Sequence, residues 1–567
     1  MRRFLAHLVV ISVLAPMCLL QAADNGPQGN GSQANGPQAN WPQGNGPQAN
    51  WPQDNGPQAN GPQANGPQAN WPQGNGPNGN YVVQDQAAAT KWSVARGENV
   101  RWVKTLPETG QSTVTIWGDR IFFTTLKPVQ ADAELGQDVV AWCCKASDGE
   151  VIWQRKIAAK YPLRLSGCFS DSSSPPPVTD GNHVCFFNAS GTIACFDLDG
   201  KQLWSKESMA VGRAQPFLLD GAIVYILQSY MPENGHFGHN HKHAPLDQWT
   251  QLEAIEITSG KRRWLSKCGV GMGSVPVAHQ LDGKPVILVG RGGGHSPPEK
   301  PDGISMIDAS NGSTKWTLPL DDFMSTMTMN ARANRALVFH KGEHLWVDMH
   351  KGTIEKRVSF VTDVPTCLRK GDGFAVEPVT LPGKKPRSII QQSNVMVGDY
   401  HYFRSYTQPF LGRVHIETGR VEMLQLPLQF VPGKSAKEDS MLWSKDEIAD
   451  RSDALKKGNN LSYHANFLNE VKNSRGFVVM GDKRSRGIGW GHYAASIPTA
   501  VGEHLYVPIM SGTVFVIRWN AEQLNEEAIV SINDLGPAGK SWTRASLSYS
   551  DGKLYAHTIR ELICIGQ

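Results

Sequence analysis

The sequence predicts an all-β fold: an eight-bladed β-propeller of four-stranded antiparallel blades, its ring closed by pairing N- and C-terminal strands. Three observations predict it. A hairpin made of an apolar strand, a glycine-bearing polar turn and a second strand that often ends in tryptophan keeps returning after residue 98. The returns are spaced at about 50–60 residues, the length of one blade. The last hairpin, Glu561–Ile565, ends the chain without an outer strand, while Asn99–Thr105 near the start is a strand without a hairpin.

The chain opens MRRFLAHLVVISVLAPMCLLQAAD. Two arginines, an apolar run and small residues before an acid make residues 1–23 a secretory signal peptide, with cleavage near Ala22 or Ala23. The run is too short to favour a membrane span. A secreted or periplasmic protein without a transmembrane segment is expected. Losing Arg2 and Arg3 takes the formal charge from +4 to +2. So balanced a chain offers no concentrated basic face, which excludes nucleic acid as a partner.

Residues 24–80 repeat a pentapeptide: NGPQG, NGSQA, NGPQA, NWPQG and onward to NGPNG. The only large apolar groups are Trp41, Trp51 and Trp71. Such a segment buries too little surface to offset its ordering entropy, so disorder is expected. It reads as a linker, or as a tether whose spaced tryptophans stack on a partner.

Residues 81–567 exceed one small core, and only a repeated unit lets a single domain grow so large. The hairpins read VVAWCCKASDGEVIW, TIACFDLDGKQLW, LEAIEITSGKRRW, GISMIDASNGSTKW, HLWVDMHKGTIEKRV, GRVHIETGRVEML and TVFVIRWNAEQLNEEAIV. Their Asp-Gly and Ser-Gly pairs supply the positive φ a tight hairpin needs. The tryptophan offers a flat apolar plate for the neighbouring unit. Upstream lie small apolar inner strands, expected at Ser172–Val178, Met272–Ala278, Tyr493–Thr499 and Thr543–Tyr549. Pairing Asn99–Thr105 with Glu561–Ile565 completes the eighth blade and closes the ring.

This repeat resembles the pyrroloquinoline-quinone-like β-propeller family, whose hallmark is an Ala-x-Asp-x-x-Thr/Ser-Gly-Lys-x-x-Trp hairpin. The best matches are AIEITSGKRRW (254–264) and ACFDLDGKQLW (194–204), the latter one residue short at its turn. The stretch NWPQGNGPNGN, followed by ENVRWVKTLP and IWGDRIFFTT, is similar to the opening of secreted members. The resemblance implies the propeller fold. For activity it implies either a quinone-dependent dehydrogenase or a non-catalytic scaffold.

The adjacent Cys143 and Cys144 bear on that choice, because dehydrogenases of the family carry a vicinal disulfide in a loop. Here the pair falls in a third strand, where neighbouring side chains point to opposite faces and adjacent Cα atoms are about 3.8 Å apart, below the usual disulfide separation. CCKASDG also lacks the Val-Asn-Arg-Gly-like sequel of those enzymes. They read as packed thiols. Cys185 and Cys195 flank a turn and face each other if it centres on Ser190; a cross-strand disulfide and two buried thiols are both compatible with that spacing.

Two residue sets are candidate sites. Arg213, Asp322, His492, Trp542 and Arg544 guard the entries to inner strands. Arginines and a stacking indole suit a tricarboxylate quinone such as pyrroloquinoline quinone, although no Glu/Asn/Asp calcium set maps onto the chain. Ion pairs between blades are the alternative. His236, His239, His241 and His243 in GHFGHNHKH, with His295 in RGGGHSPPEK, are the types that bind a divalent metal such as zinc or copper. A solvated polar loop is the competing reading. GVGMG and GIGWG precede strands rather than helices and lack a phosphate-binding helix terminus.

Residues 427–492 interrupt the blades. Within them SKDEIADRSDALKK reads as a short helix N-capped by Ser444, and the insertion as either a lid or docking element on the loop-bearing face or a lineage-specific ornament. The expectation for function is a secreted, non-catalytic, monomeric propeller that binds a protein, glycan or small-molecule ligand. A quinone-dependent alcohol or sugar oxidoreductase and a metal-binding protein are the alternatives.

Overall fold

The computed structural model describes residues 70–84, 86–128, 138–161, 173–210, 215–228, 250–271, 273–292, 300–381, 393–405, 408–444, 447, 471–472, 478–480, 496–538 and 541–566. Eight antiparallel four-stranded units follow one another at 115–157, 178–207, 217–266, 277–319, 330–359, 395–425, 499–534 and 548–565, the last completed by Val100–Thr105. That strand pairs with Glu561–Ile565, Val103 opposite Ile563 and Thr105 opposite Glu561. The expected closure is the observed one.

The tryptophans explain why successive blades stay together. Each indole lies flat over the glycine of the next blade's outer turn and donates Nε1–H to a carbonyl there. Trp102 reaches Ala146 O at 3.1 Å, Trp153 Leu198 O at 2.9 Å, Trp204 Ile257 O at 2.8 Å, Trp264 Ala309 O at 2.9 Å and Trp316 Met349 O at 2.7 Å. Beneath them Gly149, Gly200, Gly260, Gly312 and Gly352 hold φ between +66° and +82°, and a Cβ on any would come within 2.9 Å of the indole. Glycine therefore serves both the left-handed turn and the close approach.

Three seams lack that tryptophan. From blade 5 to blade 6, Trp346 on the third strand donates to Ile416 O at 2.7 Å, with Lys356 Nζ 4.8 Å above its ring. From blade 6 to blade 7, Tyr402 and the buried Arg413 donate to Trp519 O. From blade 7 to blade 8 the N-terminal segment bridges the seam: Trp92 donates to Asp534 O at 2.9 Å and stacks on Tyr506 of blade 7, while the Tyr549 hydroxyl of blade 8 donates to Gln86 Oε1 at 3.1 Å.

The inner strands begin later than the sequence predicts. They are Val178–Thr179, Val277–Leu281, Thr499–Val501 and Ser548–Ser550. Pro175, Pro176 and Pro177 precede the first and lack the N–H a ladder needs. The rim is tied instead by hydroxyls donating to the adjacent blade: Thr499 to Leu547 O, Ser548 to Val114 O and Thr115 to Pro177 O.

Two additions went unforeseen. A hairpin, Val364–Lys370 with Gly373–Val379, pairs parallel with Val421–Gln425 and makes blade 6 six-stranded. And Asn70–Asn80, assigned by composition to the disordered arm, lies on the propeller. Trp71 is 0% exposed and exchanges two backbone hydrogen bonds with Ile116. Val82–Val83 then runs parallel to Thr499–Val501. Composition measures apolar content per window, but one tryptophan with a preformed strand edge to join is enough to order its neighbours. The signal peptide and residues 24–69 lie outside the described residues.

Candidate functional site

The two rims of the ring differ in chain length. One carries the turns between first and second strands, two or three residues long, such as 118–119, 180–182, 220–221 and 551–552. Asp220-Gly221, Asp282-Gly283 and Asp551-Gly552 each place two consecutive residues at positive φ, the form that matches strand twist. On the other rim lie the strand ends that the connections between blades and between second and third strands join, Gln228 to Thr250 through 229–249 and Gln425 to Thr499 through 426–498. Loops positioned on a rigid scaffold are where binding residues concentrate.

On that loop-bearing rim, blades 8 and 1 bring a polar group together. Arg544 Nη1 donates 3.1 Å to Gln111 Oε1, which also accepts from Ser174 Oγ at 3.3 Å. Trp542 is 1% exposed, and its indole nitrogen is buried without a hydrogen-bond partner among the described residues. Its carbonyl accepts from Ile559 N at 2.8 Å. His557 sits alongside, where Thr543 Oγ1 donates to His557 O at 2.8 Å. The ring faces Ser112 O through Nδ1 at 2.8 Å, so Nδ1 carries the proton and Nε2 is a bare, buried acceptor. Burial pushes this imidazole down to about 4. Gly110 is forced by this packing, for a Cβ there would lie 2.5 Å from Thr124 O and 2.7 Å from His557 Cε1.

The predicted quinone set does not assemble among the described residues. Trp542 and Arg544 are neighbours in the approach to blade 8. Asp322 lies in the approach to blade 5, exposed, at φ +58° and 3.9 Å from Lys341. An indole at 1% exposure presents no free face for a planar ligand to stack on. The described members of the set, Asp322, Trp542 and Arg544, therefore offer no stacking face for the quinone. Arg213 and His492 lie outside the described residues, as do His236, His239, His241, His243 and His295. Among the described residues no group of three or more His, Cys, Asp or Glu side chains is placed to hold a metal ion.

Cys143 and Cys144 sit mid-strand in Val139–Lys145 and enter different cores. Cys143 packs with Trp153 and Phe186 towards blade 2, and Cys144 with Ile563 and Cys564 towards blade 8. Burial pushes both thiols up to about 12, which suppresses the thiolate that redox chemistry needs. Cys185 and Cys195, directly opposite in the ladder, are disulfide-bonded.

Other buried polar groups escaped sequence reading. His344 Nε2 and His401 Nδ1 are 2.8 Å apart between blades 5 and 6, and His401 Nε2 meets Asn394 Oδ1 at 2.7 Å. His401 Nε2 also lies 2.9 Å from the Asn330 amide nitrogen, and His344 Nδ1 is buried without a hydrogen-bond partner among the described residues. Burial holds His344 down at about 3 and lowers His401 well below the usual histidine range. Between blades 2 and 3 the fully buried Glu253 carboxylate accepts from the Tyr225 hydroxyl, from Arg262 Nε at 2.6 Å and from Lys206 Nζ at 3.0 Å. Burial alone would raise its carboxyl, but these donors together hold it below the carboxylate range. Neither group has a sequence period to betray it, because its partners come from other blades. Ser444 Oγ accepts from Glu447 N at 3.2 Å, the bond a cap at this position makes. The rest of the predicted helix lies outside the described residues.

Strand pairing and indole staples together define an eight-bladed β-propeller. The family model described as outer membrane protein assembly factor BamB matches residues 136–264, from the third strand of blade 1 into the outer strand of blade 3. No curated protein matches the chain in sequence. Among solved structures, the chain is similar to BamB from Moraxella catarrhalis at 13% identity and TM-score 0.42, covering 82% of this chain and 98% of that one. It is similar to the quinohemoprotein alcohol dehydrogenase from Comamonas testosteroni at 12% identity and TM-score 0.48, covering 88% and 80%. A second quinohemoprotein alcohol dehydrogenase, from Pseudomonas putida HK5, stands at 11% identity and TM-score 0.45, again covering 88% and 80%. No helix among the described residues is long and apolar enough to cross a membrane.

Proposed function

We propose that this is a secreted or periplasmic, non-catalytic propeller that binds a protein partner, with a glycan or small ligand as the alternative cargo, through its loop-bearing rim. The observation that carries the reading is the asymmetry of the ring. Turns of two or three residues on one rim face connections as long as 426–498 on the other, and the short-turn rim is crossed by the chain's own residues 70–83. The match to a family model named for an assembly factor supports a protein partner. Cys143 and Cys144 support a non-catalytic role, because they are spent on packing between blades.

The test is reconstitution. Purified protein is titrated with pyrroloquinoline quinone and calcium while tryptophan fluorescence is followed, then assayed for dye reduction with alcohols and aldoses. The expected result is no saturable quenching and no turnover. Tight quinone binding with turnover would replace this reading with a dehydrogenase.

A further inference from the structure

Residues 70–77, Asn-Trp-Pro-Gln-Gly-Asn-Gly-Pro, are read side chain by side chain by three successive blades. Asn70 Oδ1 accepts from Gly118 N of blade 1 at 2.8 Å. Trp71 extends the inner strand of blade 1 through both bonds to Ile116, at 2.9 and 2.8 Å, with its ring fully buried. Pro72 O accepts from Thr179 N of blade 2 at 2.9 Å, and Gln73 Oε1 from Leu218 N of blade 3 at 2.6 Å. Gly74 passes so close to blade 2 that a Cβ would stand 2.5 Å from Pro176 Cγ and 2.3 Å from Gln215 Oε1. Gly76, at φ +81°, lies against Trp71, and a Cβ would meet the ring at 2.9 Å. A buried tryptophan, two side-chain acceptors and two obligatory glycines constitute a peptide-recognition site, with strand addition giving affinity and the pockets giving specificity.

The chain contains this octapeptide a second time. Residues 40–47, which lie outside the described residues, repeat Asn-Trp-Pro-Gln-Gly-Asn-Gly-Pro without a change. Residues 50–57 differ at one position, Asp54 standing where the site demands the glycine equivalent to Gly74. The remaining pentapeptides have glycine in place of the tryptophan. We propose that the rim of blades 1 to 3 is an exchangeable binding site for this octapeptide, filled by residues 70–77 and open to the identical residues 40–47. The copy with Asp54 is excluded by the space at Gly74.

Amide hydrogen exchange at Gly118, Thr179 and Leu218 in the full-length protein reports whether the site is filled. Trp41→Ala alone is expected to change nothing, because residues 70–77 remain. Trp71→Ala is expected to keep these amides protected about tenfold or more above the double variant Trp41→Ala/Trp71→Ala. A synthetic peptide of the 40–47 sequence added to the double variant should restore protection, and one of the 50–57 sequence should not. Equal exchange in the Trp71→Ala and double variants overturns the proposal, as does equal protection by both peptides. Should the double variant fail to fold, Gln73→Ala against Gln43→Ala/Gln73→Ala makes the same comparison with the tryptophans in place.

Discussion

Trp264 lies over Gly312 of the next blade and donates its indole proton to Ala309 O, 2.9 Å away. The same geometry recurs at four other seams, so one residue pair sets how adjacent blades pack. Trp264→Ala removes a nearly buried plate and should cost about 3–5 kcal/mol. Trp264→Phe keeps most of the plate and loses the hydrogen bond, for about 1 kcal/mol. Gly312→Ala forces a Cβ into the ring at φ +77° and should cost about 2 kcal/mol or more. Urea unfolding with an unchanged slope checks all three. A Trp264→Ala loss below about 1 kcal/mol would refute the staple.

Stability should fall as the solution is acidified from pH 7 to pH 5. His344, His401 and His557 are held neutral by burial, with folded pKa values below the unfolded value of about 6.5. Below that value the unfolded chain binds protons the folded chain refuses, so stability is present above it and drains away towards the folded pKa. Each imidazole should cost about 2 kcal/mol by pH 5. His557→Gln should flatten the slope of stability against pH over that window, and an unaltered slope would show that His557 is not buried as a neutral ring.

Thiol chemistry separates packed cysteines from reactive ones. Cys143 and Cys144 should resist an aromatic disulfide reagent in the native protein and react together on unfolding, since burial disfavours both thiolates. Reducing Cys185–Cys195, whose sequence separation is 10, should cost about 2–3 kcal/mol by loop-closure entropy. Ellman titration before and after denaturant, and melting with and without reductant, measure the two.

The histidine loop gives a metal prediction. If His236, His239, His241, His243 and His295 act as ligands, zinc titration should show a high-affinity phase that disappears when the four loop histidines become alanine. Calorimetry decides it, and the absence of any such phase removes metal binding from the candidate functions.

How much of this was legible depends on how local each cause is. The hairpins were readable because Asp-Gly turns and terminal tryptophans act within a dozen residues. The closing strand was readable because an eighth hairpin without a partner implies one elsewhere. The six-stranded blade was not, because a parallel pairing between Val364–Lys370 and Val421–Gln425 joins segments some fifty residues apart with no turn to mark it. The candidate site was legible only in part. Trp542 and Arg544 stand on the predicted rim, but that the indole would be sealed and that His557 would lie beside it depended on which side chains the neighbouring blade supplied.

Repetition, ring closure and the fate of the adjacent cysteines therefore follow from the order of residues along the chain, since each rests on strand alternation or on turns that need glycine. The docking of Trp71 on blade 1, the His344–His401 contact and the burial of Glu253 belong to the folded molecule. Each depends on groups brought side by side from distant parts of the chain, and burial energy and hydrogen-bond satisfaction are settled only once those neighbours are in place.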